Sequence, residues 1–349
     1  MATERSVERD AHVRVVANSM TVPRIAVVIP CYRVAAHVAG VVAAIGPEVV
    51  SIYAVDDACP EQSGDRLAAA CTDPRLRVLR HAANQGVGGA MITGYRAALA
   101  DGADIVVKVD GDGQMDPRAI KRLVASIASG RADYAKGNRF HELEYLRAMP
   151  RVRLFGNSML SLVNKVASGY WDIMDPTNGF TAIHRTALAR LPLQKIDRGY
   201  FFESDMLFRL NTIRAVVRDV PLPAVYGDER SSLRIGRVIT RFPIKYLRAT
   251  AKRMFYTYFL RDFNAGTLQF CLGSLIAAAG VAVGAGYWIR SALYGVPTTS
   301  GQVMIAALPI LVGAQLLIGA LNYDIENVPR EPLQRLADDG EPPMASTGA

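Results

Sequence analysis

Chemistry is concentrated in Asp110-Gly111-Asp112-Gly113-Gln114, where two carboxylates and an amide alternate with glycines. Oxygen-bearing side chains spaced this tightly suit a hard divalent cation such as Mg2+ or Mn2+, which commonly completes its shell with substrate phosphates. The same residues also build surface turns that bind nothing. A second acidic pair, Asp56-Asp57, and the stretch Pro30-Cys31-Tyr32 each follow an apolar run. Arg139, Arg153 and Arg230 stand beside Gly, Ser or Asn, a setting in which a guanidinium donates two hydrogen bonds to a phosphate; elsewhere exposed arginines are simply solvated. Gly86-x-Gly88-Gly89 is superficially like a dinucleotide fingerprint, but its third glycine position is Met91. The glycines there allow close approach of a helix to the sheet or to a nucleotide.

These groups need a frame that brings them together, and the hydrophobic pattern predicts one. Arg24 to Ile29 reads as a buried strand closed by Pro30, with a helix from about Val34 to Ile45. Ile52 to Val55 forms a second strand ending at Asp56-Asp57, then a short helix around Gly64 to Cys71 and a third strand at Leu76 to Leu79. Asn84-Gln85-Gly86 opens a helix to about Ala100, which Gly102 terminates. A fourth strand starting at Ile105 delivers Asp110. Asp116 as N-cap, with Pro117 at the first helical position, starts a helix toward Ser129. Further on come the turn Asp175 to Phe180, a short strand at Thr181 to His184, an amphipathic helix from Phe201 and a late strand at Ala215 to Val220. Strands alternating with helices at this spacing predict an α/β domain with a mostly parallel sheet covered on both faces. Ligands bind beyond the carboxyl ends of such strands, which is where Tyr32, Asp56 and Asp110 fall.

With 349 residues, 50% of them hydrophobic, the chain has room for a large core and apolar sequence to spare. The excess lies late. No charged residue occurs from Phe263 to Ile289 or from Ser291 to Tyr323. Within these windows, about 267–289 and 303–321 are each long enough to cross ~30 Å of hydrocarbon. A pair of buried core helices is the competing reading, disfavoured because neither run is amphipathic. Just upstream, Arg237, Arg241, Lys245, Arg248 and Lys252 share one helical face, opposite Leu247, Met254, Phe255, Tyr258 and Phe259. This reads as an interfacial helix on anionic lipid or as an ordinary surface helix. The seven basic residues from Arg237 to Arg261, against Arg290 alone in the connector, place the large domain and both termini in the cytoplasm. The net charge of +8 fits phosphorylated or lipid partners; no nucleic-acid module accompanies it. Cys31, Cys59, Cys71 and Cys271 show no disulfide or zinc spacing and read as reduced thiols. The expected organisation is a flexible leader (1–22), a catalytic domain (23–235), juxtamembrane helices (236–264), a two-helix hairpin (265–323) and a polar cytoplasmic tail (324–349), disordered after Pro329.

In the order VVIPCY (27–32), VDDACP (55–60), NQGVGGA (84–90), VDGDGQMDP (109–117), KGNRF (136–140), DPTNGF (175–180) and ERSSL (229–233), the chain resembles the family-2 glycosyltransferases that act on polyprenyl phosphates. Dolichyl-phosphate mannose synthases and undecaprenyl-phosphate glucosyltransferases belong to that group. The resemblance runs from about Ile25 to Arg234 and implies a GT-A, Rossmann-like domain followed by amphipathic helices and a transmembrane hairpin, in an integral protein of a bacterial inner membrane. It implies that Pro30, Tyr32, Asp56, Asp57 and Gly86 hold the nucleotide and that Asp110, Asp112 and Gln114 form the metal site at the diphosphate. It further implies that Arg139, Arg153 and Asn157 receive the acceptor phosphate, that Asp175 and Asn178 shape the sugar pocket, and that Arg230 and Ser231 close over the diphosphate. Asp205 matches the base position of sugar-accepting relatives and also suits a helix-start role. The chain departs from the pattern at Ala58-Cys59, where Gly-Ser is usual, at Ser232, where several relatives carry Lys, and at Asn157, where Ser is common.

The implied reaction is inverting transfer of a sugar from a UDP- or GDP-linked donor to a membrane polyprenyl phosphate, with Mg2+ or Mn2+, in a homo-oligomer that resemblance makes a tetramer. The competing functions are a membrane glycosyltransferase with a non-lipid acceptor and a catalytically silent nucleotide-sugar binder.

Overall fold

The computed structural model describes residues 22–140, 151–222 and 235–338, with the backbone alone for 151–154 and 235–241. Its centre is a seven-stranded sheet in the order β3-β2-β1-β4-β6-β5-β7. The strands are β1 (Ile25–Cys31), β2 (Val49–Asp56), β3 (Leu76–Arg80), β4 (Ile105–Lys108), β5 (Tyr134–Asn138), β6 (Thr181–His184) and β7 (Val217–Pro221). All neighbours run parallel except β6, which lies antiparallel to both β4 and β5.

Helices α1 (Val38–Ala43), α2 (Ser63–Ala70), α3 (Val87–Ala100) and α4 (Ile120–Ala128) make the crossovers. Two apolar layers result, one on each face of the sheet: α3 packs over Val28 and Tyr53, and α4 over Val107 and Ala135. The turn before α4 is built as the sequence predicts, with the Asp116 carboxylate accepting from Arg118 N at 3.0 Å and Pro117 at the first position. Helix α5 (Arg151–Ser168) precedes β6, the short α6 (Arg185–Arg190) follows it, and α7 (Phe202–Thr212) leads to β7.

Beyond the sheet, α8 (Ile235–Phe255) runs into a π-helical turn, Tyr256–Arg261. Then come α9 (Ala265–Tyr294) and α10 (Ser300–Glu326), two helices long and apolar enough to cross a membrane. Their starts are fixed by capping boxes at Asn264 and Thr299, so both extend past the apolar windows. They pack closely because Gly313 lies against α9: a Cβ there would sit 2.6 Å from Ala277 N.

The hairpin is joined to the sheet domain by a buried carboxylate. Asp324 near the end of α10 accepts from Arg253 Nη1 at 2.6 Å and Nη2 at 3.0 Å, from Tyr258 Oη at 2.5 Å and from Trp171 Nε1 at 2.9 Å. The tail differs from expectation. Residues Leu333–Asp338 form helix α11, whose first N–H groups, Leu333 N and Gln334 N, donate to the buried Asp133 carboxylate at 2.9 and 3.2 Å. A helix start needs acceptors and a buried carboxylate needs donors, so the two satisfy each other.

Candidate active site

The rim formed by the carboxyl ends of the strands is one continuous line. Asp56 ends β2, Asp110 follows β4 and Arg139 follows β5. Neighbouring strands are ~4.8 Å apart, so Asp56 and Asp110 stand roughly 10 Å apart, and Arg139 lies about the same distance beyond. That spread suits a nucleoside, a diphosphate and an acceptor laid side by side.

At the β2 end both acidic side chains have internal partners. Asp56 accepts from Cys59 N (2.8 Å) and Gly64 N (2.6 Å), holding the turn into α2. Asp57 accepts from Gln85 N, Gly86 N and the His81 ring, each at 2.8 Å. His81 in turn meets Thr93 Oγ1 at 2.8 Å. The pair thus shapes the loops at the carboxyl end of β2. Gly86 has φ 83, and a side chain there would strike Arg198 O, so the glycine serves close approach of the 197–199 segment. Tyr32 is exposed with Arg33 against its ring, and Pro30 is half-buried beside it.

At the centre, Asp110 is gripped by Lys108, whose Nζ donates to Oδ1 at 2.6 Å. Lys108 is buried and reaches Glu203 Oε1 at 3.3 Å. Burial opposes its charge, but Asp110 and Glu203 outweigh that and hold its pKa above the ordinary lysine range. Asp112 Oδ1 accepts from Gln114 N at 3.0 Å, closing a tight turn in which Gly113 has φ 79. Among the described residues no three His, Cys, Asp or Glu side chains cluster as a metal cage. The donor set of Asp110, Asp112 and Gln114 nonetheless fits a hard cation that takes its remaining oxygens from a substrate diphosphate.

At the β5 end, Asp175 is fully buried and binds Arg139 bidentately, Nε to Oδ2 at 2.7 Å and Nη2 to Oδ1 at 3.1 Å. Asn178 is buried, its Oδ1 capping Phe180 N at 2.9 Å. Asn157 lies half-buried in α5. Arg153 lies in the first turn of the same helix, with its side chain outside the described residues, as are Arg230 and Ser231 entirely. Asp205 is engaged within the fold: its Oδ2 accepts from Asp197 N and Arg209 Nε, both at 2.8 Å. The residues not foreseen are Lys108, Lys136, Glu203 and His81. Lys108 carries a readable signal, since it interrupts an apolar run that must be buried, whereas the surroundings of Lys136 read as a loop.

Residues 26–191 match the family model described as glycosyl transferase family 2. The UDP-N-acetylglucosamine–dolichyl-phosphate N-acetylglucosaminyltransferase of Methanococcus voltae is 32% identical over 172 residues, 49% of this chain and 68% of that protein. The undecaprenyl-phosphate mannosyltransferase of Micrococcus luteus is 30% identical over 190 residues, 54% of this chain and 77% of the relative. Glucosyl-3-phosphoglycerate synthase from Mycobacterium tuberculosis, crystallised with Mn2+, UDP and glucosyl-3-phosphoglycerate, shares the fold at a TM-score of 0.51 and 20% identity, over 66% of this chain and 80% of that one.

Proposed function

The chain belongs to glycosyl transferase family 2, and from that premise we propose that it transfers a sugar from a nucleotide sugar to a membrane polyprenyl phosphate, with inversion at the anomeric carbon. The observation that carries this reading is the Asp175-held Arg139 on the same rim as the Asp110-Gly-Asp112 turn, in a domain clamped to an apolar helical hairpin. The hairpin narrows the acceptor to a lipid, and the basic stretch before it keeps the catalytic domain on the cytoplasmic side.

A phosphate monoester with a second pKa of about 6 is already anionic near neutral pH and needs no general base. The partners that Asp205 has within the fold agree with that. One phosphate oxygen attacks the anomeric carbon while the bond to the nucleoside diphosphate breaks, and the diphosphate leaves with the electron pair. Arg139 with Arg153 and Asn157 orients and screens the acceptor, and Arg230 with Ser231 covers the donor diphosphate. Asp110, Asp112 and Gln114 would hold Mg2+ or Mn2+, which as a Lewis acid offsets charge on the leaving diphosphate. Lys108 fixes the Asp110 carboxylate in place.

The test is direct. The purified chain incubated with labelled UDP- or GDP-sugars, polyprenyl phosphate and Mn2+ should yield labelled lipid, and Asp112→Ala or EDTA should abolish it. Full turnover by Asp112→Ala, or insensitivity to EDTA, refutes the metal assignment; absence of lipid product across the donor panel refutes the acceptor.

A further inference from the structure

Lysine is seldom buried, yet Lys136 is fully buried in the sheet and the chemistry above does not use it. Its register partner across β5 and β6 is Thr181, which in turn pairs with Lys108 on β4. The two ammoniums therefore lie in one row across three strands. They also reach consecutive carbonyls of one turn: Lys136 Nζ donates to Asn178 O, and Lys108 Nζ to Gly179 O at 3.3 Å. That turn carries Asp175, and Asp175 grips Arg139, which leaves the same strand as Lys136 three residues later. Strand, turn and guanidinium thus form a closed ring of contacts. Gly137 N, donating to Phe180 O at 2.8 Å, adds a backbone tie inside it.

We propose that Lys136 is a positioning residue for acceptor binding: it fixes the Asp175–Gly179 turn and, through Asp175, sets the Arg139 guanidinium where the acceptor phosphate docks. This rests on the acceptor role given to Arg139 above. The charged groups facing the ammonium are Glu203 from α7, Asp175 from the turn, Asp219 from β7 and Lys108 from β4. Burial lowers its pKa to about 8, the three acids acting the other way. Its hold on Asn178 therefore weakens as pH rises through that value, while the arginines and the ionised acceptor phosphate keep their charge.

The experiment compares the full chain with Lys136→Met, which keeps the apolar volume of the side chain and removes its charge and its donor to Asn178 O. Four quantities are read: acceptor KM, affinity for UDP with Mn2+, amide exchange across 175–181, and the unfolding midpoint. The expected result is an acceptor KM raised about tenfold, the size of one charge-assisted hydrogen bond, with faster exchange in the turn and UDP affinity unchanged. The wild-type KM should climb from about pH 7 to about pH 9, and the variant's should stay flat. Lys136→Gln, which keeps a donor without the charge, should fall between the two and serves if the Met variant does not fold. Unchanged KM with unchanged exchange overturns the proposal, as does faster exchange with unchanged KM. If the wild type makes no lipid product, the acceptor reading fails, and the exchange arm still decides whether Lys136 holds the turn.

Discussion

The junction between the catalytic domain and the apolar hairpin gives the sharpest stability prediction. Asp324 takes four hydrogen bonds, two from Arg253 and one each from Tyr258 and Trp171, at 2.5 to 3.0 Å. Arg253 is 3% exposed and Asp324 7%. Truncation in Asp324→Ala leaves a guanidinium buried with its main counter-charge gone. Breaking a buried pair this way costs about 3 to 5 kcal/mol, mostly the penalty of the stranded charge. At roughly 2 to 3 °C per kcal/mol for a chain this long, the unfolding midpoint should fall by about 10 °C. Removing both charges in Arg253→Met with Asp324→Leu removes the stranded charge too, so the double variant should be more stable than Asp324→Ala, with a coupling of about 2 kcal/mol. Thermal unfolding of the detergent-solubilised protein, followed by intrinsic fluorescence, reads both. An Asp324→Ala midpoint within about 3 °C of wild type, or a double variant that merely adds the two single losses, refutes the reasoning.

Two further outcomes follow from local strain and burial. Ala58 has φ 51, in the left-handed region that disfavours a side chain. Ala58→Gly should relieve about 1 to 2 kcal/mol of strain and return about 0.5 to 1 through the freer unfolded chain, a net gain of about 0.5 to 1 kcal/mol measurable by thermal unfolding. Asp219 is held mostly by burial at a pKa of about 6, with Oδ2 accepting from Met174 N and Asn138 Nδ2 and Oδ1 buried without a partner among the described residues. Since its folded pKa is raised, the folded chain keeps a proton that the unfolded chain has lost, and this group's contribution to stability falls as pH rises from about 4 to about 6. Asp219→Asn should remove that fall and stabilise the protein at pH 7 by about 2 to 3 kcal/mol, checked by denaturation across the pH series.

Elements whose ends coincide with chemistry were the most legible. The apolar runs before Asp56 and Asp110 are strands, and both acids stand on the rim, because a fully buried parallel strand needs continuous apolar sequence. The hairpin was legible for the same reason, although its bounds follow caps rather than apolarity. Strand β5 was not read as a strand. Lys136-Gly137-Asn138 looks like a loop, and its burial depends on Asp175, Asp219 and Glu203, which arrive from distant parts of the chain. The reversed β6 was equally hidden, since periodicity reports which face is buried and not which neighbour a strand takes. The acids at the rim show the limit of reading side chains by type. Asp56 and Asp57 have the chemistry of ligand contacts, yet the fold already uses their oxygens to shape loops. The docked helix at Leu333–Asp338 was invisible because its partner, Asp133, lies 200 residues away.

The same contacts tie the Arg139 end of the rim to the apolar hairpin. Trp171, bonded to Asp324 in α10, stands four residues before Asp175. Between them Met174 N is held by Asp219 on β7, and Ser161 of α5 donates to Met174 O at 2.9 Å. Arg253, the other partner of Asp324, donates to Val166 O of α5 at 2.9 Å. A short chain of bonded groups therefore runs from the hairpin to Asp175 and on to Arg139. Apart from the exposed Met174–Asp219 bond, each link is at least partly buried, so solvent competes little with it. Seated in a bilayer, the hairpin would set the height of the arginine above the lipid, which is what a nucleophile confined to the membrane plane requires. An acceptor of that kind brings its phosphate to a fixed depth, and a site on a freely hinged domain would lose the positional advantage that makes such a transfer fast.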